Sequence, residues 1–545
     1  MENSPLDFRD HVIFSMNVCG SVFEWGGDQI TEFYSKRHEE DWTCVTYDKQ
    51  DFENLQSKDT QTNFILREPD TTHRKYQPAE RGQFKSYVNA IHENDKKYDT
   101  VFIHGRDRIS CVYAAVEHLK ENGKIVIFDF WNRKRYHRIL DDFEVVDGFN
   151  DNISGNTNTI VVLIPKPKNR KKLLIYSGYS SKPWNFSSLY SNAVGGSELA
   201  TIRIASEFKL LGYDIVVGGA VKEGVGIDGV RYISLGEDLQ GFLNRNKLDV
   251  IIVSRYLHFF THYKFQTDQL YLLLHDIVYL PWAVDKSISS DWNSQAEVAD
   301  IIHENYAKGG QIDNFICLTG WHASYYAHVY PYAKDKIITW GNAIYPESFS
   351  DQNIEKVKNS FIWTSRAVRG LRTLLDIWPQ IKERIPDATL NVYSYGRDGE
   401  EDVWERCQQL DGVTHHGGVP QSVLLQRIQE SEYWFYTTNF SETYCITALE
   451  MQYSKVLCVS TRLAALINTV GDRGIMFDIP KQGYDSEEYK KIALDSFFSV
   501  YDNPELKSEL IEKAHEWAKQ QTWRNRALEL DTHFKEVAKA KAAKW

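Results

Sequence analysis

The sequence repeats one folding rhythm three times, a short β-like apolar run followed by a turn and a helical stretch. The first series ends at a basic, proline-containing stretch, Pro165–Lys172, which lies between two apolar runs. The rhythm restarts at Leu173 and again at Ser360. Alternation of strands with helices is typical of parallel sheets covered by helices. We therefore predict an α/β protein of three domains, with a linker at 165–172.

Size and composition narrow the class of protein. A chain of 545 residues exceeds what one core usually organises. The formal charge of −12 gives no general attraction to nucleic acid. Seven scattered cysteines without CxxC spacing argue against disulfides and zinc. No apolar run is long enough to span a membrane, so we expect a cytoplasmic protein, with peripheral membrane contact left open.

Two glutamates, Glu442 and Glu450, lie eight positions apart where a loop enters a predicted helix. Ser441 and Thr443 are residue types that begin helices, and an apolar run follows them. A nucleotide sugar needs one carboxylate for its ribose and another for its sugar hydroxyls, with backbone N–H groups for the diphosphate. The alternative is a buried helix in which the spacing is a coincidence.

Two further motifs support a site for a phosphorylated ligand. Arg366 and Arg369 follow a predicted strand and precede a helix, where their guanidiniums would meet a diphosphate. The adjacent glycines Gly195 and Gly196 permit a tight turn and close approach of the backbone to a ligand. The alternatives are solvated surface arginines and a simple helix cap at Ser197.

With these residues in view, the region from about Leu173 to the C-terminus resembles the GT-B glycosyltransferases, particularly the retaining enzymes of family 4. The resemblance rests on the order and spacing of several short motifs. They are Gly195-Gly196, His275-Asp276, Thr319-Gly-Trp-His322, Gly341-Asn-Ala-Ile344, Arg366 with Arg369-Gly370, Gly417-Gly-Val419, and Glu442 with Glu450.

The resemblance implies two Rossmann-like domains around a central cleft and a nucleotide-diphosphate sugar as donor. Arg366 and Arg369, the latter in place of the family's usual lysine, would neutralise the diphosphate. Glu442 would contact the donor sugar and Glu450 the ribose, while Gly195 and Gly196 would bring backbone close to phosphate or acceptor.

His275 would lie beside the reacting carbon, with a core histidine as the alternative and Asp276 as a competing candidate. No Asp-x-Asp motif stands at an expected metal position, so no metal is expected.

The region before the linker carries a second candidate site. Glu24 and Gly26 follow one β-like run and Asp48 follows the next, as in sites for nucleoside cofactors. The region from about Val12 to Ile164 resembles the class I S-adenosylmethionine-dependent methyltransferases. The resemblance makes S-adenosylmethionine a candidate cofactor bound by these three residues. His104 stands where relatives often carry aspartate, which leaves open a domain that only binds acceptor or partner.

Together these observations predict a methyltransferase-like domain at 1–164, an acceptor domain at 173–350 and a donor domain at 351–545. A helix from about Trp517 would cross back to the acceptor domain. The expected function is transfer of a sugar to a glycan or glycoconjugate acceptor, with or without methylation of that glycan. The alternatives are a glycan methyltransferase whose second region only binds carbohydrate, and a non-enzymatic carbohydrate-binding scaffold. The sequence gives no indication of oligomeric state.

Overall fold

The computed structural model contains two compact units. Residues 1–170 and 223–231 form the first unit, and residues 171–222 and 232–545 form the second. The structure describes residues 4–59, 61–71, 82–150, 159–180, 182–191, 194–277, 310–349, 354–394, 400–484 and 486–543.

The first unit is built on a sheet of order β3-β2-β1-β4-β5-β7-β6. The first five of its strands in chain order pair in parallel, whereas β7 is antiparallel to both β5 and β6. The strand order reverses between β1 and β4, which is where α/β sheets bind ligands. The strands are β1 Val22–Trp25, β2 Trp42–Thr46, β3 Asn63–Leu66, β4 Tyr98–Ile103, β5 Leu119–Ile127, β6 Phe143–Asp147 and β7 Val161–Pro165.

Helices of the first unit cover this sheet, and one of them corrects the sequence analysis. The residue pattern from Arg108 to Glu121 predicts one helical stretch, but the helix ends at Ala115 and β5 already begins at Leu119. Gly123 and Lys124 therefore lie inside a strand. The helices are Phe8–Asn17, Gln29–Ser35, Lys49–Lys58, Lys85–Asn89 and Arg108–Ala115.

The second unit contains two further sheets. The order is β11-β9-β8-β12-β13-β14-β15 in one and β18-β17-β16-β19-β20-β21 in the other. The strands from β9 to β15 in the first order, and all strands of the second, pair in parallel. The strands of the first of these sheets are β8 Lys172–Gly178, β9 Asp214–Gly219, β11 Arg231–Ser234, β12 Leu248–Ser254, β13 Thr267–Leu273, β14 Asn314–Cys317 and β15 Ile337–Thr339. Those of the second are β16 Ser360–Trp363, β17 Thr389–Val392, β18 Val413–His415, β19 Tyr433–Tyr436, β20 Leu457–Thr461 and β21 Ile475–Phe477. The short strand β10, Gly224–Val225, consists of residues of the first unit.

The C-terminal helix packs within the second unit, on the half that contains the sheet with β8. The continuous helix expected from Trp517 is broken, since one helix ends at Ala518 and the next begins at Trp523 with Thr522 as its cap. Phe534 of the last helix stacks on Phe208, with ring centroids 5.8 Å apart. The longer helices of the unit are Gly196–Leu210, Glu237–Arg245, Gly320–Val329, Leu371–Arg384, Glu401–Gln409, Gln421–Glu430, Ile446–Tyr453, Glu487–Tyr501, Pro504–Ala518 and Trp523–Ala542.

The predicted α/β class is confirmed, and the paired parallel sheets of the second unit match the GT-B fold. Among the described residues, no helix combines the length and apolar character needed to cross a membrane.

Candidate functional site

The turn after β16 holds both predicted arginines. Arg366 precedes a short 3-10 turn, Ala367–Arg369, and the helix Leu371–Arg384 starts directly after it. Gly370 joins the two at φ 112°, and a Cβ there would lie 1.9 Å from the carbonyl oxygen of Thr437. The Thr437 hydroxyl donates to the Gly370 carbonyl at 2.9 Å. The backbone therefore locks the position of the arginine turn against the end of β19.

Glu442 and Arg369 form one charged pair rather than two separate contacts. Nη1 of Arg369 donates to Oε1 of Glu442 at 3.0 Å, and the Tyr436 hydroxyl donates to the same oxygen at 3.0 Å. The ring of Phe440 lies 3.9 Å below the Arg369 guanidinium. Burial raises the pKa of Glu442, although Arg369 and Tyr436 oppose the shift. The second oxygen of Glu442 is left for a ligand hydroxyl in this arrangement.

The helix that follows Glu442 begins later than expected. It spans Ile446–Tyr453, and Cys445 before it has φ 71° and no side-chain cap. Thr443 does not cap the helix, because its hydroxyl donates to the His275 carbonyl at 2.8 Å and its carbonyl accepts from Thr319 at 3.1 Å. The first N–H groups of the helix therefore remain available to an anion.

Glu450 lies on the same helix and is deeply buried. Its Oε1 accepts from the side-chain amide of Gln421 at 2.7 Å. Burial raises the pKa of the Glu450 carboxyl to about 7, since the hydrogen bond to Gln421 offsets only part of the desolvation. A buried carboxyl that titrates near neutrality is typical of ligand sites.

His275 follows β13 and has a buried Nε2 that meets no partner among the described residues. Burial lowers the pKa of His275 well below its usual range, and Arg255 and His322 add to the effect, so the imidazole is neutral. Asp276 is held by Arg255, whose Nε lies 2.7 Å from Oδ2. Its carbonyl accepts from the His322 ring at 3.1 Å. Of the two candidates, His275 thus has the ring nitrogen that a substrate can contact.

The glycine turn lies close to the same helix start. Gly195 is the cap of the helix Gly196–Leu210, so the alternative of a Ser197 cap is not what forms; the Ser197 hydroxyl donates to Glu198 instead. A Cβ on Gly196 would lie 3.9 Å from Cδ1 of Ile446. The N-termini of these two helices therefore lie near one another.

The second unit thus brings Arg369, Glu442, His275 and the glycine turn to one region, whereas Nη2 of Arg366 lies 3.6 Å from Oε1 of Glu400. Sequence reasoning missed Tyr436 and Gln421, which hold the two glutamates, and Arg255, which holds Asp276. Tyr436 ends a strand, which is a usable signal because ligand sites form at the carboxyl ends of parallel strands. Arg255 carries the same signal, because it directly follows β12, whereas Gln421 at the start of a helix does not.

In the first unit, Glu24 is fully buried and its carboxylate is occupied. Its Oε2 accepts from the Trp42 indole at 2.6 Å, and its Oε1 accepts from Thr31 and lies 2.5 Å from Nε2 of His104. A Cβ on Gly26 would lie 1.8 Å from that same Nε2. The imidazole of His104 thus covers the glycine that a cofactor would have to approach.

Asp48, the third predicted contact, caps the helix Lys49–Lys58, where its Oδ1 accepts from the N–H groups of Gln50 and Asp51. Burial alone would lower the pKa of His104, but the carboxylates of Asp28 and Glu24 outweigh it and raise the pKa to about 9. Because the His104 ring occupies the space beside Gly26 and engages Glu24, the residues present do not fit S-adenosylmethionine at the predicted contacts.

Comparisons with known proteins bear on the fold. No protein-family model matches the sequence, and no curated protein is significantly similar to it. Solved structures of GT-B glycosyltransferases do match. They cover 68% of this chain, which is close to the fraction of its residues that belong to the second unit. Sucrose-phosphate synthase from Thermosynechococcus elongatus is 12% identical, with 68% of this chain and 100% of that one covered and a TM-score of 0.51.

Two other structures give the same picture. A glycosyltransferase from Rickettsia africae is 13% identical, with 68% of this chain and 99% of that one covered and a TM-score of 0.52. The pneumococcal O-GlcNAc transferase GtfA, solved with UDP and GlcNAc, is 12% identical, with coverages of 68% and 99% and a TM-score of 0.50. At this identity the likeness shows the fold alone, and it does so for the matched 68% of the chain.

Proposed function

We propose that the second unit transfers a sugar from a nucleotide-diphosphate sugar to a glycan or glycoconjugate acceptor, with retention of anomeric configuration. The observation that carries the proposal is the Arg369–Glu442 pair beside an uncapped helix start. It offers positive charge and N–H groups to a diphosphate, and a carboxylate oxygen to the sugar next to it. The GT-B fold and the UDP bound in the solved GtfA structure support the same assignment.

In the reaction, the bond between the anomeric carbon and the phosphate oxygen breaks, and a bond from the acceptor oxygen to that carbon forms. The acceptor hydroxyl loses its proton to the departing nucleoside diphosphate or to water. Negative charge grows on the departing phosphate. In this proposal Arg366, Arg369 and the N–H groups of Ile446 and Thr447 stabilise that charge, which is electrostatic catalysis by preorganised donors.

Neutral His275 suits a positioning role better than a role as a charged acid. Its Nε2 can exchange a hydrogen bond with a hydroxyl of the donor sugar or the acceptor while the oxocarbenium-like charge develops nearby. Glu450 would accept hydrogen bonds from the ribose hydroxyls. An ionised carboxylate accepts these bonds more strongly, so donor binding should improve as Glu450 ionises near pH 7.

Hydrolysis and transfer measured with the full chain and a panel of UDP, GDP and ADP sugars test the proposal. For the active donor, Arg366→Ala should lower kcat/KM by about 100-fold, as for loss of one oxyanion-stabilising group. The donor KM of the native protein should fall as the pH rises through 7. In Glu450→Gln this pH dependence should disappear.

Arg372→Ala is the matched control. Arg372 lies on the helix Leu371–Arg384, which follows Arg366 in the chain; it pairs with Asp402 and is well exposed. This substitution should change kcat/KM by less than about twofold. Unchanged turnover in both Arg366→Ala and Glu450→Gln would overturn the assignment. Sugar binding without any turnover would favour the carbohydrate-binding scaffold, and methylation without sugar transfer would favour the methyltransferase alternative.

A further inference from the structure

A cavity of about 310 Å³ opens in the first unit at the carboxyl ends of its parallel strands. Its walls come from the segments that follow β1, β2, β4 and β5, namely Gly26–Asp28, Tyr47 with Asp51, His104–Ile109, and the stretch Arg133–Tyr136. The cavity therefore spans the reversal of strand order between β1 and β4. Ligands of α/β sheets bind at such reversals. Its volume is in the range of small-molecule sites.

The cationic groups on these walls outnumber the carboxylates. Among the described residues, Arg106 and Arg135 have no carboxylate within ion-pair distance, and each guanidinium lies over a tyrosine ring. Arg106 is 5.7 Å from the Tyr47 ring and Arg135 is 5.3 Å from the Tyr136 ring. Aromatic rings hold these side chains in place without cancelling their charge. Two guanidiniums are thus ready to accept an anion.

The remaining charges of the cavity are largely engaged. Arg108 donates to the backbone carbonyls of Gly105, Phe128 and His104, so its charge is fixed in the wall and uncompensated by these contacts. Arg133 pairs with Asp129 at 2.5 Å. The charge of Arg108 therefore adds to the positive potential around Arg106 and Arg135.

Three carboxylates also line the cavity. Asp28 lies 3.3 Å from Nδ1 of His104 and shares the charge of that imidazole with Glu24. Asp107 accepts from the Ser110 hydroxyl at 2.9 Å. Asp51 lies in the first turn of the helix that follows β2.

We propose that this cavity binds a phosphorylated small molecule of mononucleotide size, whose phosphate is held by Arg106 and Arg135. Guanidiniums bind phosphate through paired N–H donors, which makes arginine the preferred residue for this ligand class. The site is independent of the proposed transferase site, because every residue named for it belongs to the first unit.

Hydrogen exchange of the full chain, followed by mass spectrometry, tests the proposal with pyrophosphate, UMP and S-adenosylmethionine as separate probes. Local readout is needed because the transferase site also accepts phosphates. Pyrophosphate and UMP should protect residues 104–112. In Arg106→Ala and Arg135→Ala, the pyrophosphate concentration for half-protection should rise by about 10- to 100-fold, as for loss of a charge-assisted hydrogen bond.

Three further variants sharpen the result. Arg138→Ala removes an exposed arginine from the same 3-10 segment, outside the cavity wall, and should leave the protection unchanged. Arg366→Ala should abolish protection in the second unit only. Arg106→Lys keeps the charge and should bind more weakly than the native chain but more tightly than Arg106→Ala. Protection of residues 104–112 by S-adenosylmethionine alone, or by neither phosphate, would overturn the proposal.

Discussion

Both candidate sites face a helix that begins in the same unusual way. The helix Arg108–Ala115 of the first unit and the helix Ile446–Tyr453 of the second each have eight residues. Each is preceded by a non-glycine residue in the left-handed region, Asp107 at φ 42° and Cys445 at φ 71°, and neither has a side-chain cap. Strained backbone of this kind is concentrated at functional sites, where it leaves N–H groups open to a ligand.

The two sites differ in how their charges are balanced. In the second unit, Arg369 is paired with Glu442, so the site has both a cation for phosphate and an anion for sugar hydroxyls. In the first unit, the buried acid Glu24 pairs with His104 beneath Gly26, and Arg106 faces the cavity with no carboxylate partner among the described residues. Our two proposals therefore assign group transfer to one α/β edge and anion binding to the other.

The largest expected effect comes from comparing two glycine turns, one packed against backbone at Gly370 and one packed against a side chain at Gly26. Gly370→Ala would place a Cβ 1.9 Å from a carbonyl oxygen, at a φ that alanine adopts poorly. We expect it to lower the local free energy of unfolding by about 4 kcal/mol and to abolish sugar transfer. Gly26→Ala collides with the His104 ring, a side chain rather than backbone, which can yield only by loosening its contacts to Glu24 and Asp28, and should cost about 3 kcal/mol. Hydrogen exchange in β19 and β1 measures the two effects.

Gly417→Ala separates collision from backbone strain. Gly417 has φ 73°, but a Cβ there would have no heavy atom within 4 Å. This change should therefore cost only about 1 kcal/mol. If Gly370→Ala cost no more than Gly417→Ala, the backbone lock on the arginine turn would be disproved.

An intermediate effect tests whether the first unit really buries an ion pair. Glu24→Gln should lower the local unfolding free energy of β1 by about 3 kcal/mol at pH 6.5, because it leaves protonated His104 with less compensation. Sugar transfer by the second unit should not change. Opening of β1, measured by hydrogen exchange across a range of pH, gives the magnitude.

The pH dependence of this effect has a definite sign. The pKa of His104 is about 9 in the folded protein, above the roughly 6.5 of an unfolded chain. The stabilisation by the pair is therefore complete below pH ~6.5 and is lost as the pH rises through about 9. The difference between native protein and Glu24→Gln should shrink between pH 6.5 and 9.5. A constant difference over that range would mean that His104 is not protonated in the fold.

The α/β class and most strand positions were predictable from the sequence because short apolar runs must be buried and lie between turns. Helix limits were less predictable. The helix after Glu442 starts at Ile446 because the Thr443 hydroxyl bonds to His275, a residue 168 positions away, instead of capping the helix. A tertiary contact of this range overrides local capping preference and leaves no trace in the local pattern.

The candidate sites were predictable to different extents for a related reason. Glu442 and Arg369 were recognised by residue type, although their direct pairing at 3.0 Å was not. Glu24 and Gly26 were predicted to contact a cofactor from the same kind of pattern, whereas the fold uses them to hold His104. A glycine followed by an acid at strand ends specifies close approach and charge, but the partner is decided by which side chain the neighbouring strand supplies.

The smallest expected effect tests the feature that the two sites share. Asp107→Gly should be more stable than Asp107→Ala by about 1 kcal/mol, because glycine adopts a left-handed φ without the steric cost that alanine pays. Comparing the two variants cancels the lost bond from Ser110, since both remove the carboxylate. Cys445→Gly and Cys445→Ala should differ in the same direction. Hydrogen exchange in the two helices gives the four values, and an alanine variant as stable as its glycine counterpart would show that the left-handed start stores no strain.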